Sequence, residues 1–142
     1  MDVKLINKYG EMIGWLSKTV TIFGQDLTGI TKIQYDDEIP IEMAYGEGRM
    51  PIGWEKGNYK ATASITIYKE ELVAFMKGLP KKMRLQDAPP IAIPVTFEHG
   101  DDVFTDVLNN VLFTKIGTAL EQGKGKTEID IPLSLTHIDW NV

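Results

Sequence analysis

The segment Gly123-Lys124-Gly125-Lys126-Thr127 ends as a phosphate-cradling loop ends, with a lysine and then a hydroxyl. That chemistry needs an earlier glycine and a following helix whose backbone N–H groups face the anion. Leu120 occupies the glycine position, and the residues after Thr127 alternate like a strand, so a basic hairpin turn is expected instead. Gly46-Glu47-Gly48 opens like a dinucleotide fingerprint, but Pro51 stands where the third glycine belongs and no helical pattern follows. It reads as a turn. His99 beside Gly100, Asp101 and Asp102 suggests metal ligands, yet His137 is the only other histidine and neither has a partner at helical spacing. A polar turn is expected there. Asp36-Asp37-Glu38 could supply acid and base groups; without a paired nucleophile it reads as a solvated strand end. No Ser, His and Asp grouping stands out, and the basic residues are not interleaved with aromatics that would stack bases. No catalytic, cofactor-binding or metal-binding residue is assigned.

The elements around these segments are mostly strands. Period-two alternation is clearest over Tyr59–Tyr68, where Tyr59, Ala61, Ala63, Ile65 and Ile67 share one face. Further runs are Thr19–Phe23, a stretch holding Ile33 and Tyr35, Ile91–Phe97, Val111–Ile116 and Glu128–Leu135. Pro94 implies an edge strand or a bulge. The apolar phase shifts from Leu135 to Ile138 and Trp140, which predicts a bulge near His137. One segment breaks the rule. Leu72, Phe75, Met76 and Leu79 fall at helical spacing, with Glu70 and Glu71 at the start and Gly78 then Pro80 at the end. A short helix over about residues 69–79 is predicted, its apolar stripe closing the core.

Residues 39–58 are too apolar for a solvated loop. Ile39, Ile41, Met43 and Tyr45 alternate before Gly46-Glu47-Gly48-Arg49, and Met50, Ile52 and Trp54 follow it. This pattern predicts a long hairpin arm with a glycine-rich tip and one apolar face. Such a face needs cover, either from its own domain or from a neighbouring subunit.

Length and composition bound the rest. A chain of 142 residues is about one domain, expected to span 1–142. Without cysteine there is neither a disulfide nor a thiolate metal site, and an oxidising compartment is not required. No apolar run is long enough to span a membrane, and a signal peptide is not expected from Met1-Asp2-Val3-Lys4. The host cytoplasm is the expected place of folding. A net charge of −5 disfavours tight nucleic-acid binding, which needs Lys and Arg to displace counterions.

Tyr45-Gly46-Glu47-Gly48-Arg49-Met50-Pro51-Ile52-Gly53-Trp54, then Gly57-Asn58-Tyr59-Lys60 and an alternating strand, resembles the tail tube proteins of contractile phages. The flanking order is similar too: Thr21, Gly24 and Leu27-Thr28-Gly29-Ile30 before the arm, and the short helix after it. Gln122-Gly123 then leads towards a final Ile138-Asp139-Trp140. The resemblance spans most of the chain. It implies a mainly β, sandwich- or barrel-like tail-tube fold with one flanking helix and a long hairpin arm. It further implies homo-hexameric rings stacked into the inner tube of a virion tail or tail-like particle, a conduit for DNA or effectors. DNA would be passing cargo and not a specific ligand. Tail sheath, baseplate and tail terminator proteins would be partners, and no membrane or cofactor would be involved. Type VI secretion inner tubes and phage-tail-like bacteriocins share this architecture. The arm would pack on adjacent subunits, with Ile41, Met43, Tyr45, Arg49, Met50, Ile52 and Trp54 at the interface. Two other classes stay open: a monomeric β-sandwich binding module with the hairpin over a ligand groove, and a small hydrolase with a nonlocal site.

Overall fold

The computed structural model describes residues 12–15, 18–22 and 25–142. The expectations for Met1–Lys4, Phe23 and Gly24 lie outside them. Along the chain run β1 (Lys18–Ile22), β2 (Gln25–Asp26), β3 (Ile30–Glu38), β4 (Ile41–Tyr45), β5 (Pro51–Lys56) and β6 (Lys60–Tyr68). The helix α1 (Lys69–Lys77) and a 3-10 turn (Leu85–Asp87) precede β7 (Ile91–His99), β8 (Asp102–Phe113), β9 (Glu128–Ser134) and β10 (His137–Asp139). Among the described residues all pairings are antiparallel. Strands β2-β1-β7-β8-β9-β6-β3 lie in that order with β10 also on β8, while β4 and β5 form a separate two-stranded sheet. Among the described residues the fold is mainly β with one α-helix, as the sequence predicts.

Alternation decides what is inside. Val20 and Ile22, Ile65 and Ile67, Ile93 and Val95, and Ile129, Ile131 and Leu133 are buried, and their strand neighbours are not. Across three strands, Ile33, Ile65 and Ile131 stand in one row, Ile65 being the register partner of both others. Each such side chain contributes about 1.5–3 kcal/mol by leaving water. Among the described residues no polar or charged side chain is fully buried. Helix α1 adds Leu72 and Phe75 to this core. It sits close to the chain before β3, where a side chain on Gly29 would meet Glu71 Oε2 at 2.8 Å. The helix ends two residues before the predicted limit. Gly78 and Leu79 donate to Phe75 and Met76 carbonyls three residues back, which tightens the last turn, and Pro80 has no N–H to continue it.

The predicted bulge near His137 is displaced onto the facing strand. Between β7 and β8, Ile91 faces Val111 but Ile93 faces Leu108, so the extra residue lies on β8 around Asn109-Asn110. Asn110 adopts φ 54°. On the other side of β8 the register is kept: Ser134 faces Leu112 and His137 faces Asn109. Both strands therefore change face together, from Val111 and Leu133 to Leu108 and Ile138, all of them buried. Asn110 Nδ2 donates to Thr136 Oγ1 at 2.9 Å across this corner, where β8 passes from the β7 side of the sheet to the β9 side. Pro94 is tolerated for a related reason. Pairing of β1 with β7 stops at Val95, so no ladder bond to β1 is lost at Pro94, and the register shift lies just before it, between Ile91 and Ile93. Of the strand predicted over Val111–Ile116, only Val111–Phe113 is strand, as the C-terminal end of β8, which begins at Asp102, and residues 114–116 are not.

A polar latch closes β10 against β3. Asp37 Oδ2 accepts from Tyr59 Oη and from Trp140 Nε1, each at 2.8 Å, and Tyr59 Oη accepts from the Ile138 amide at 3.0 Å. The Trp140 ring lies 5.4 Å from that of Tyr35. The acidic run is thus tied in at Asp37 and not merely solvated, and Asp36 accepts from Thr62 Oγ1. Replacing Asp37 with Ala removes the acceptor for two donors. Stability of the subunit should fall by about 1–3 kcal/mol, read by denaturant unfolding with Trp140 emission shifting red. An unchanged midpoint would show that the latch is not stabilising.

Candidate interaction site

The arm is a continuation of the β3–β6 pair. Glu38 faces Lys60 at the end of that ladder, and the chain then passes through Ile39-Pro40 into β4 and returns from β5 through Gly57-Asn58-Tyr59. At its root the Gly57 amide donates to the Pro40 carbonyl at 2.7 Å. The two strands approach so closely there that a side chain at residue 57 would meet Pro40 Cγ at 2.9 Å. Glycine is required by that contact. At the tip Gly48 takes φ 105°, a left-handed conformation that turns the chain without a Cβ penalty.

Register sorts the arm into two faces. Met43 is opposite Trp54, Glu42 opposite Glu55 and Ala44 opposite Gly53. Ile41 shares the Met43 face by alternation, and Ile52 shares the Trp54 face. A register shift between Ala44 and Tyr45 puts Pro51 opposite Tyr45 and bends the ribbon near its tip. Arg49 and Met50 lie in the turn, outside the paired strands. The structure therefore brings Ile41, Met43, Ile52 and Trp54 together, with Tyr45 next along, and leaves Arg49 and Met50 at the tip.

None of these side chains is covered. Met50 and Ile52 are 78% and 75% exposed, Tyr45 and Trp54 63% each, Ile41 56% and Met43 53%. No arm residue belongs to the hydrophobic core. Within one chain the arm does not fold back onto its domain, which removes that alternative for the subunit alone. The run of bulky apolar groups is larger than the scattered exposure normal for a monomer surface.

Other exposed apolar groups were not legible from sequence. Val103 and Phe104, neighbours in β8, are 64% and 38% exposed near the Gly100-Asp101 turn. Val73 and Met76 of α1, also exposed, line a groove with Ile116. Among the described residues no group of three or more His, Cys, Asp or Glu is placed to hold a metal, and no helix is long and apolar enough to cross a membrane. His99 and Asp102 face each other across the β7–β8 turn, and His137 Nδ1 lies 2.9 Å from Thr136 Oγ1.

Near the arm root, the Tyr35 hydroxyl donates to Asp106 Oδ2 at 2.7 Å. Burial, and then the hydrogen bond and negative charge of Asp106, push the Tyr35 phenol above its ordinary value of 10.0. Ionisation is harder in the folded chain than in the unfolded one. The protonated phenol's contribution is therefore complete below the unfolded value and is lost as pH rises towards the folded one. Thermal unfolding followed from about pH 9 to about pH 12 should show stability falling at the alkaline end, and Tyr35→Phe should flatten that fall. Equal slopes for the two proteins would remove Tyr35 as the cause.

No family model matches the sequence, and no curated protein matches it. Solved structures match its fold. A chain of the anti-feeding prophage cap, the tube-terminating cap, superposes with a TM-score of 0.68 at 11% identity, covering 98% of this chain and 94% of that one. A chain of the sheath/tube terminator of an extracellular contractile injection system (PVC) gives 0.60 at 13%, covering 93% and 98%. One from the sheath–tube complex of the same system gives 0.56 at 15%, covering 90% of each. At these identities the likeness is one of fold: this protein has the β-rich architecture found in a tube-terminating cap and in the terminator and sheath–tube structures of a contractile injection system.

Proposed function

We propose that the protein is a structural subunit of a contractile tail or tail-like injection particle, assembling into stacked hexameric rings that form its inner tube. The observation that carries this reading is the uncovered apolar arm on a fold of this kind. Burying such a face on a neighbour is worth roughly 25 cal/mol per Å2 before the costs of association. A contact between two different surfaces closes into a ring where its rotation closes and otherwise continues as a helix. The fold likeness to cap, terminator and sheath–tube chains supports the setting, and one matching chain belongs to a baseplate structure averaged with six-fold symmetry. Sheath, baseplate and terminator proteins are the partners of such a subunit, which assembles in the host cytoplasm and then resides in the particle. DNA or an effector passes through the lumen, and a lumen wall rich in Asp and Glu would limit sticking of phosphates.

A second reading is a cap that ends the tube. The TM-score of 0.68 with the tube-terminating cap, higher than with the sheath–tube chain, favours it. Sedimentation of purified protein separates the readings. Tubes of increasing length support the repeating unit, rings that never stack support the cap, and a stable monomer at high concentration overturns both.

A further inference from the structure

The groove beside α1 lies on a face whose charge is opposite to that of the chain. Residues 69–84 and 114–127 hold eight of the fifteen Lys and Arg residues against Glu70, Glu71 and Glu121, although the whole chain carries −5. These segments form one surface. The Lys69 amide donates to the Thr127 carbonyl at 2.9 Å, Lys69 Nζ to Thr118 Oγ1 at 3.0 Å, and Ile116 lines a groove of about 510 Å3 together with Val73 and Met76. Lys69, Lys77, Lys81 and Lys82 rim the groove. One more cation, Lys124, is paired with Glu121.

The arm and its root have the complementary character. Residues 36–58 carry six carboxylates against Arg49 and Lys56. Glu42 and Glu55 face each other across the ribbon, on the face opposite Met43 and Trp54. Both surfaces combine exposed apolar side chains with charge, and no arm residue lines the groove of its own chain. We infer that the groove beside α1 receives the arm of a second copy of this chain, apolar face inward, with the long rim lysines reaching past the ribbon's edges to the carboxylates on its outer face and at its root. This contact rests on the ring assembly proposed for the protein and adds its receiving surface. Because donor and acceptor surfaces differ, the contact is head-to-tail, and an open oligomer keeps one free arm at one end and one free groove at the other until the ring closes.

The cysteine-free chain allows a direct test. Lys56, the partner of Ile41 on the inward face of the arm, and Ala74 on α1 are both exposed, so Lys56→Cys with Ala74→Cys leaves the core untouched. A short bismaleimide reagent should convert assembled double variant into a ladder of covalent oligomers, while either single variant gives monomer only. Dimers from a single variant would mean like-to-like pairing and would overturn the contact. Rings without a ladder would overturn it too, while leaving ring assembly standing and giving the groove to another partner. Failure to assemble at all would overturn both. A charge exchange tests the chemistry. Lys77→Glu, Lys81→Glu and Lys82→Glu together should lower assembled yield roughly tenfold or more with monomer melting unchanged. Glu42→Lys, Glu47→Lys and Glu55→Lys in the same chain should restore it. Yield that is unaffected by the first set, or not restored by the second, contradicts the inference.

Discussion

Trp54→Ala should leave the isolated subunit folded and nearly as stable as before while strongly reducing assembly. Trp54 is 63% exposed and lies across from Met43 on a ribbon outside the core, so the subunit loses little. Surface changes of this kind usually stay within about 0.5 kcal/mol. In the proposed assembly the same indole would be an aromatic anchor, and loss of such an anchor typically costs about 2 kcal/mol or more. That corresponds to roughly thirtyfold in affinity at each contact, repeated at every subunit of a ring. The checks are thermal unfolding of the monomer beside sedimented yield of assembled protein. A variant that melts much lower, yet polymerises normally among its folded molecules, would place the arm in the fold and not at an interface.

Ile65→Ala should do the reverse. Ile65 is 1% exposed between Ile33 and Ile131 in the middle of the sheet. Cutting it to Ala removes buried area and leaves a cavity in a tightly packed row, at about 2–5 kcal/mol. Against a total stability of about 5–15 kcal/mol this is a large fraction. Melting should drop on the order of 10 °C. Molecules that remain folded at low temperature should still assemble, because no arm or groove residue has changed. Normal melting with failed assembly would put Ile65 at an interface and would reverse the division between core and arm.

Much of this division was legible in the sequence, because it rests on local patterning. Strand β6 alternates without interruption from Ala61 to Ile67, and the structure buries Ile65 and Ile67 and half-buries Ala61 and Ala63 on that face. The arm was legible because Met43, Tyr45, Ile52 and Trp54 alternate on both sides of a glycine turn. Strand β8 was not. Its apolar residues come as Val103-Phe104, Val107-Leu108 and Val111-Leu112-Phe113, a three- and four-residue spacing that suits a helix and not a strand. The structure supplies two reasons: the first residues project at an exposed turn, and the bulge at Asn109-Asn110 shifts the buried phase. The latch was equally hidden, since Asp37, Tyr59 and Trp140 meet only after β10 docks. So was the groove beside α1. The helical spacing predicts a stripe that closes the core, and Leu72 and Phe75 do so, but Val73 and Met76 on the flanks stay exposed and depend on the loop carrying Ile116 for their setting.

The central claim is that this chain builds a ring through an arm that is uncovered in the single subunit. Particle averaging of electron micrographs of the purified, concentrated protein tests it most directly. Six-fold rings are expected, stacked head to tail, with density for each arm running onto the adjacent subunit. A monodisperse monomer at every concentration, or a two-fold dimer with its arms paired against each other, would contradict the claim.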